Sequence, residues 1–111
     1  MVEVNISRDK KGRVVQFGGS GHSGYAKEGK DIVCAAVSTL LQTALVGLKD
    51  YLGLKVAVRR KKGWLQVETG EINGSKQKVA DAILETMVLG LKYIERDYTG
   101  YLEVKENKLS F

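Results

Sequence analysis

One uncharged, strongly apolar run governs what this chain can fold into. Between Asp31 and Lys49 it reads IVCAAVSTLLQTALVGL, without an acidic, basic or proline residue. Ile32, Val33, Ala36, Val37, Leu40, Leu41, Ala44, Leu45 and Leu48 recur at the three- and four-residue spacing of a helix. The apolar stripe is too broad for a helix with one dry face. The spacing therefore predicts burial on two sides, one against a sheet and the other against a second helix. Ser38, Thr39, Gln42 and Thr43 break the run, which favours a buried helix over a membrane span, and no membrane partner is expected. Asp31 stands where an N-cap is needed, and Gly53 offers a left-handed stop.

The flanking sequence alternates with the period of strands. Val2, Val4 and Ile6 alternate with Glu3, Asn5 and Ser7. After a turn at DKKG, residues 13–17 read as a second strand pairing back on the first. Five glycines between positions 18 and 29 read as a loop unsuited to either strand or helix. Residues 54–60 and 64–69 form another alternating pair around a tight turn at 61–63. Asn73 or Ser75 is placed to cap a second helix reaching Asp97, with Val79, Ile83, Met87, Gly90/Leu91 and Ile94 as its apolar stripe. Residues 101–104 make a last strand. The order ββαββαβ predicts an α+β fold, a mainly antiparallel sheet with two helices packed on it. At 12.2 kDa, residues 1–111 read as a single domain.

A lone cysteine cannot form an internal disulfide, and the opening MVEVNIS lacks a basic segment followed by an apolar core. Both features point to a cytoplasmic protein. The formal charge of +5 and pI near 9.4 favour acidic or nucleic-acid-rich surroundings. Arg59, Arg60, Lys61 and Lys62 fall on a hairpin tip. They serve either as a solvated turn that guards strand edges or as a contact for RNA phosphates or an acidic surface. Trp64 beside them either stacks on a base or packs within the strand.

The chemistry concentrates in GGSGHSGYAKEGKDIVCAAVS, which holds the only histidine and the only cysteine. Gly19, Gly21 and Gly24 spell G-x-G-x-x-G, but a dinucleotide site needs its helix to follow at once, and here the helix waits until Asp31. A nucleophile elbow would need glycine where Tyr25 stands. One cysteine and one histidine are too few for a structural zinc site, and no metal or cofactor is expected. Cysteine chemistry is left. Cys34 is either a small buried hydrophobe or a nucleophile in the first helical turn, where outward N–H groups and the helix dipole favour thiolate and unclaimed N–H groups suit an oxyanion. In the second case His22, carried back by the glycine-bearing loop, takes the thiol proton and later protonates the leaving amine. Residues 21–30 then form a candidate lid, and Gly21 and Gly24 supply backbone freedom.

Gly21-His22, a short glycine-bearing loop and then Asp31-Ile-Val-Cys-Ala-Ala-Val-Ser38 resemble the signature of the ribosomal-processing cysteine proteases, the Prp family. The resemblance extends over the element order and essentially the whole length. It implies a homodimeric peptidase that removes a short N-terminal extension from a large-subunit ribosomal protein in certain bacteria, with His22 and Cys34 as a catalytic dyad. The doubly apolar first helix agrees with a dimer. Asp31 is then either the helix cap or a third member orienting His22. Ser38, one turn beyond Cys34, is a supporting residue that donates to the thiolate or bonds back to the Cys34 carbonyl. The competing reading, in which Cys34 merely packs, is a non-catalytic ribosome- or RNA-associated binding module.

Overall fold

The computed structural model describes residues 1–21, 24, 26–27 and 31–111. Strands β1 (Val2–Arg8) and β2 (Val14–Ser20) form the first hairpin, and helix α1 (Ile32–Val46) follows. The helix continues through a π-helical turn, Gly47–Tyr51, in which the Leu52 N–H reaches back to the Gly47 carbonyl at 3.1 Å. Strands β3 (Ala57–Lys61) and β4 (Trp64–Glu68), helix α2 (Lys76–Asp97) and strand β5 (Leu102–Lys108) complete the chain. The sheet order is β3-β4-β2-β1-β5, antiparallel except for the parallel pair β1 and β5. The ββαββαβ order and mainly antiparallel sheet agree with the expectation from sequence.

Strand alternation decides where the core lies. Val2, Val4 and Ile6 of β1 and Leu65 and Val67 of β4 turn to one face and are buried. That face receives Val33, Val37, Leu41, Ala44, Leu45 and Leu48 from the first helix and Ala80, Leu84, Met87, Val88 and Leu91 from α2. The two helices also touch each other. A Cβ on Gly90 would lie 3.1 Å from Leu40 Cδ1, and one on Gly47 would lie 3.3 Å from Ile83 Cδ1. Helix α1 is thus buried by the sheet and by α2, as its wide stripe requires.

Three expectations need correction. Gly18 and Gly19 belong to β2, not to a loop. They are tolerated in a strand because their neighbours fill the space a side chain would need: a Cβ on Gly19 would lie 3.0 Å from Leu41 Cδ1 of α1. The buried stripe of α2 is centred one residue later than the sequence suggested. Val79 is 38% exposed, whereas Ala80 and Leu84 are fully buried. Ile83 instead points at α1, which apolar spacing alone does not distinguish from pointing at the sheet. Strand β5 also runs on to Lys108, although its second half is polar and exposed. Its parallel register with β1, Val2 opposite Leu102 through Arg8 opposite Lys108, supplies the backbone hydrogen bonds that composition did not suggest.

Arg8 ties three elements together. Its guanidinium donates to both Glu85 oxygens of α2 at 2.6 and 2.9 Å and to Glu106 of β5 at 3.0 Å. The hydrogen bonds to Glu85 are the main reason its pKa stands above the ordinary arginine value.

Gly18 provides a direct test of this packing. A Cβ there would strike the Leu65 carbonyl oxygen and lie 3.0 Å from Gln66 Cα, both backbone atoms of β4. Gly18→Ala should therefore cost about 1–3 kcal/mol of stability, measured by urea unfolding. Unchanged stability would show that β2 and β4 are not this close.

Candidate active site

At one end of the sheet β2 and β3 finish and β1 and β4 begin, and the start of α1 lies beside it. Ser20 at the end of β2 pairs with Glu3 of β1 and with Trp64 of β4, and Trp64 pairs with Lys61 of β3. The chain then turns at Gly21, whose N–H donates to the Gly63 carbonyl at 3.1 Å and so ties β2 to the β3–β4 turn. Gly21 has φ +92°, and a Cβ would fall 2.9 Å from the Met1 carbonyl oxygen. Both the backbone conformation and the space demand glycine there.

Asp31 starts the helix from an extended conformation, φ −82° and ψ 105°. Its buried carboxylate accepts from the backbone N–H groups of Val33 and Cys34, both at 3.0 Å to Oδ1. The Asp31 carbonyl accepts from Ala35 N–H at 3.1 Å. Asp31 is therefore the N-cap. The Val33 and Cys34 N–H groups are thereby engaged and are not among the unclaimed donors an oxyanion would need, because the same orphan donors that attract an oxyanion also attract an N-cap carboxylate. A carboxylate at this end also offsets the partial positive charge that the helix dipole places near Cys34.

Cys34 is a half-buried cysteine in the first turn of α1. It lines a cleft of about 320 Å³ between α1 and the strand ends. Ser38, exposed and one turn further on, lines the same cleft with Cys34. Gly19, Ser20 and Gly21 come from the end of β2, and buried Val2, Val37 and Leu41 supply its apolar lining. Gly63 and Trp64 contribute from the β3–β4 hairpin, with Arg60 and Lys61 on that side. Lys61 Nζ stands 5.9 Å from the centroid of the Trp64 ring. The structure thus brings together Gly21, Asp31, Cys34 and Ser38. His22 and most of the 21–30 segment read as a lid lie outside the described residues. Among those described, Gly24 has φ +76°, in keeping with the backbone freedom expected of it.

The hairpin's part in this cleft was not legible in the sequence. Trp64 and the basic run were noted, but their neighbourhood to Cys34 depends on β2 pairing with β4 across a long sequence separation. A second hollow, about 580 Å³, lies at the other end of the sheet. Its Asp9 is consumed by an internal turn, accepting from Lys11 N–H, Arg13 N–H and the Arg13 guanidinium. Its buried hydroxyl, Thr69, donates to the carbonyls of Val15 and Gly70. Cys34 makes the smaller cleft the site of interest.

Known proteins are similar to this chain over nearly its whole length. The family model described as Cysteine protease Prp matches residues 1–103. A ribosomal processing cysteine protease Prp of Bacillus subtilis (strain 168) is 27% identical over 110 residues, covering 96% of this chain and 98% of that protein. One from Staphylococcus aureus (strain Mu50 / ATCC 700699) is 29% identical over 101 residues, 88% of this chain and 92% of that protein. Among solved structures, the essential ribosomal processing protease Prp from S. aureus, in complex with a covalently linked product peptide, matches with a TM-score of 0.83 and 25% identity. That match covers 96% of this chain and 100% of the other. SMU.848 from Streptococcus mutans shares the fold, with a TM-score of 0.84 at 23% identity over 98% of this chain and 96% of that one.

The cap is separable from any role in chemistry. Asp31→Ala should lower unfolding free energy by about 0.5–2 kcal/mol, and Asp31→Asn, which keeps a side-chain acceptor, should retain most of it. Thermal or urea unfolding reads both. Equal losses in the two variants would mean that the charge, not the cap, holds the helix end.

Proposed function

The chain belongs to the cysteine protease Prp family and is a cysteine peptidase, and on that premise we propose that it removes the short N-terminal extension of a large-subunit bacterial ribosomal protein with Cys34 and His22 as a dyad. The observation that carries the reading is the half-buried thiol of Cys34, which lines the cleft at the start of α1. The names of the relatives, ribosomal processing proteases, support the choice of substrate. The alternative of a non-catalytic binding module is set aside by membership of a protease family.

In this mechanism His22 takes the proton from Cys34, and the thiolate attacks the scissile carbonyl to give a tetrahedral oxyanion. Collapse breaks the C–N bond as the imidazolium protonates the leaving amine. Water, deprotonated by the neutral imidazole, then attacks the thioester, releases the carboxylate and restores the thiol. Asp31 sharpens the need for a base. Its carboxylate offsets the partial positive charge of the helix end, and His22 is the chain's only imidazole. Ser38, in the same cleft, is the supporting donor. A lone thiol that must stay reduced also supports a cytoplasmic place of work.

The protein acts as a homodimer in this reading. Its support is apolar surface on the outer faces of both helices: Ile32 and Val46 of α1 are 51% and 52% exposed, and Leu89 and Tyr93 of α2 are 63% and 62% exposed. Light scattering after size exclusion should give the mass of two chains, and Leu89→Lys should shift it toward one. A monomer at working concentration would remove this part of the proposal.

Activity is tested with a ribosomal protein bearing its N-terminal extension, with products identified by mass spectrometry. Cys34→Ala should lower cleavage by about a thousand-fold or more. His22→Ala should slow both cleavage and iodoacetamide labelling of Cys34 below pH 7. Cleavage by Cys34→Ala at the parent rate would exclude the thiol as nucleophile. Unchanged labelling in His22→Ala would exclude His22 as its base.

A further inference from the structure

Positive charge in this protein is unevenly answered. On the β5 side it is neutralised: Lys105 Nζ lies 3.3 Å from Glu3 and 3.4 Å from Glu103, Lys92 lies 2.8 Å from Glu106, and Arg8 is held by Glu85 and Glu106. On the opposite edge strand, β3, the cross-strand partners of Arg59, Arg60 and Lys61 are Gln66, Leu65 and Trp64, none of them acidic. These three side chains are exposed and have no ion pair among the described residues. Like charges on successive residues repel one another, so this tip is held ready for an anion rather than for a neighbour on its own surface.

Strand alternation sorts the cluster further. Val58 pairs with fully buried Val67 and so faces the helices, which places Arg59 and Lys61 on the opposite face, with Gln66 and Trp64. Described residues put both helices on the other side of the sheet, leaving this face to polar side chains such as Asn5, Gln16 and Gln66. It therefore offers two cations spaced two residues apart along an edge strand, beside a half-buried tryptophan. Cations alone would suit any polyanion. An aromatic ring on the same face, already close to a lysine, adds a flat surface on which a base can stack.

We propose that the β3–β4 corner, with Arg59 and Lys61 as phosphate contacts and Trp64 as a stacking surface, binds single-stranded RNA. Arg60, Lys61 and Trp64 also line the cleft of Cys34, so this surface adjoins the peptidase site. A protease whose cleft is flanked by such a corner is held beside substrates that are themselves bound to RNA. The inference does not depend on which base activates Cys34 or on which ribosomal protein is cut.

Trp64 is the only tryptophan, so its fluorescence reports on this corner without labelling. The full-length protein is titrated with a fluorescein-labelled oligouridylate of about 12 nucleotides, within the usual single-strand site sizes. Binding should quench Trp64 and weaken steeply between about 50 and 200 mM salt. Arg59→Gln and Lys61→Gln, both at exposed positions, should each reduce the salt slope by about 0.7. Lys105→Gln, on the same sheet face but already paired with Glu3 and Glu103, should leave binding unchanged. The proposal fails if Lys105→Gln weakens binding as much as Arg59→Gln, since binding would then follow net charge alone. It also fails if no RNA binds, or if poly-glutamate binds as tightly as RNA without quenching Trp64, which would make the corner an acidic-peptide site.

Discussion

The close seating of α1 on the sheet is the constraint from which the rest follows. An uncharged helix of this length has nowhere to go but into a core, and the approach is limited by what the strand beneath it carries. At Gly19 that strand carries no side chain, and Leu41 of the helix occupies the space. At Gly90 the second helix likewise yields to Leu40. Small residues at these contacts let three apolar surfaces close without voids, which matters because interiors tolerate neither gaps nor overlap. The end of the sheet beside the start of the helix is left less completely filled, and that remaining space is the cleft of Cys34.

Asp31 sits at the junction between stability and chemistry. It satisfies N–H groups of the first turn that would otherwise be orphaned, and it does so at the residue whose thiol is the candidate nucleophile. The same contact spends the helix end. A bare N-terminus stabilises a thiolate and offers donors to an oxyanion, whereas a capped one does much less of either. In the proposed mechanism the burden of activating Cys34 falls on His22.

Much of the fold was legible in residue patterns. The period-two alternation of Val2, Val4 and Ile6 marked β1, and the width of the stripe from Ile32 to Leu48 announced burial on two sides. The pairing of β3 with β4 followed from the turn at 61–63. What failed were local readings whose answer depended on neighbours. Gly18 and Gly19 look like loop residues until β4 and α1 are seen pressing on them. Val79 and Ala80 are indistinguishable as core candidates until α2 is seated against both α1 and the sheet. The polar end of β5 has little strand character of its own and is a strand because β1 offers a parallel edge.

The sequence by itself determined the class of chemistry. A lone cysteine three residues after a capping aspartate, at the head of an apolar helix, left a packed thiol and a nucleophile both open, and the resemblance of Gly21-His22 through Ser38 to the Prp signature is what pointed to a cysteine peptidase. The tertiary structure alone decided the company Cys34 keeps. Gly63, Trp64, Arg60 and Lys61 reach its cleft only through the pairing of β2 with β4. Contacts between segments far apart in sequence depend on register and packing, and no periodicity within one segment encodes them.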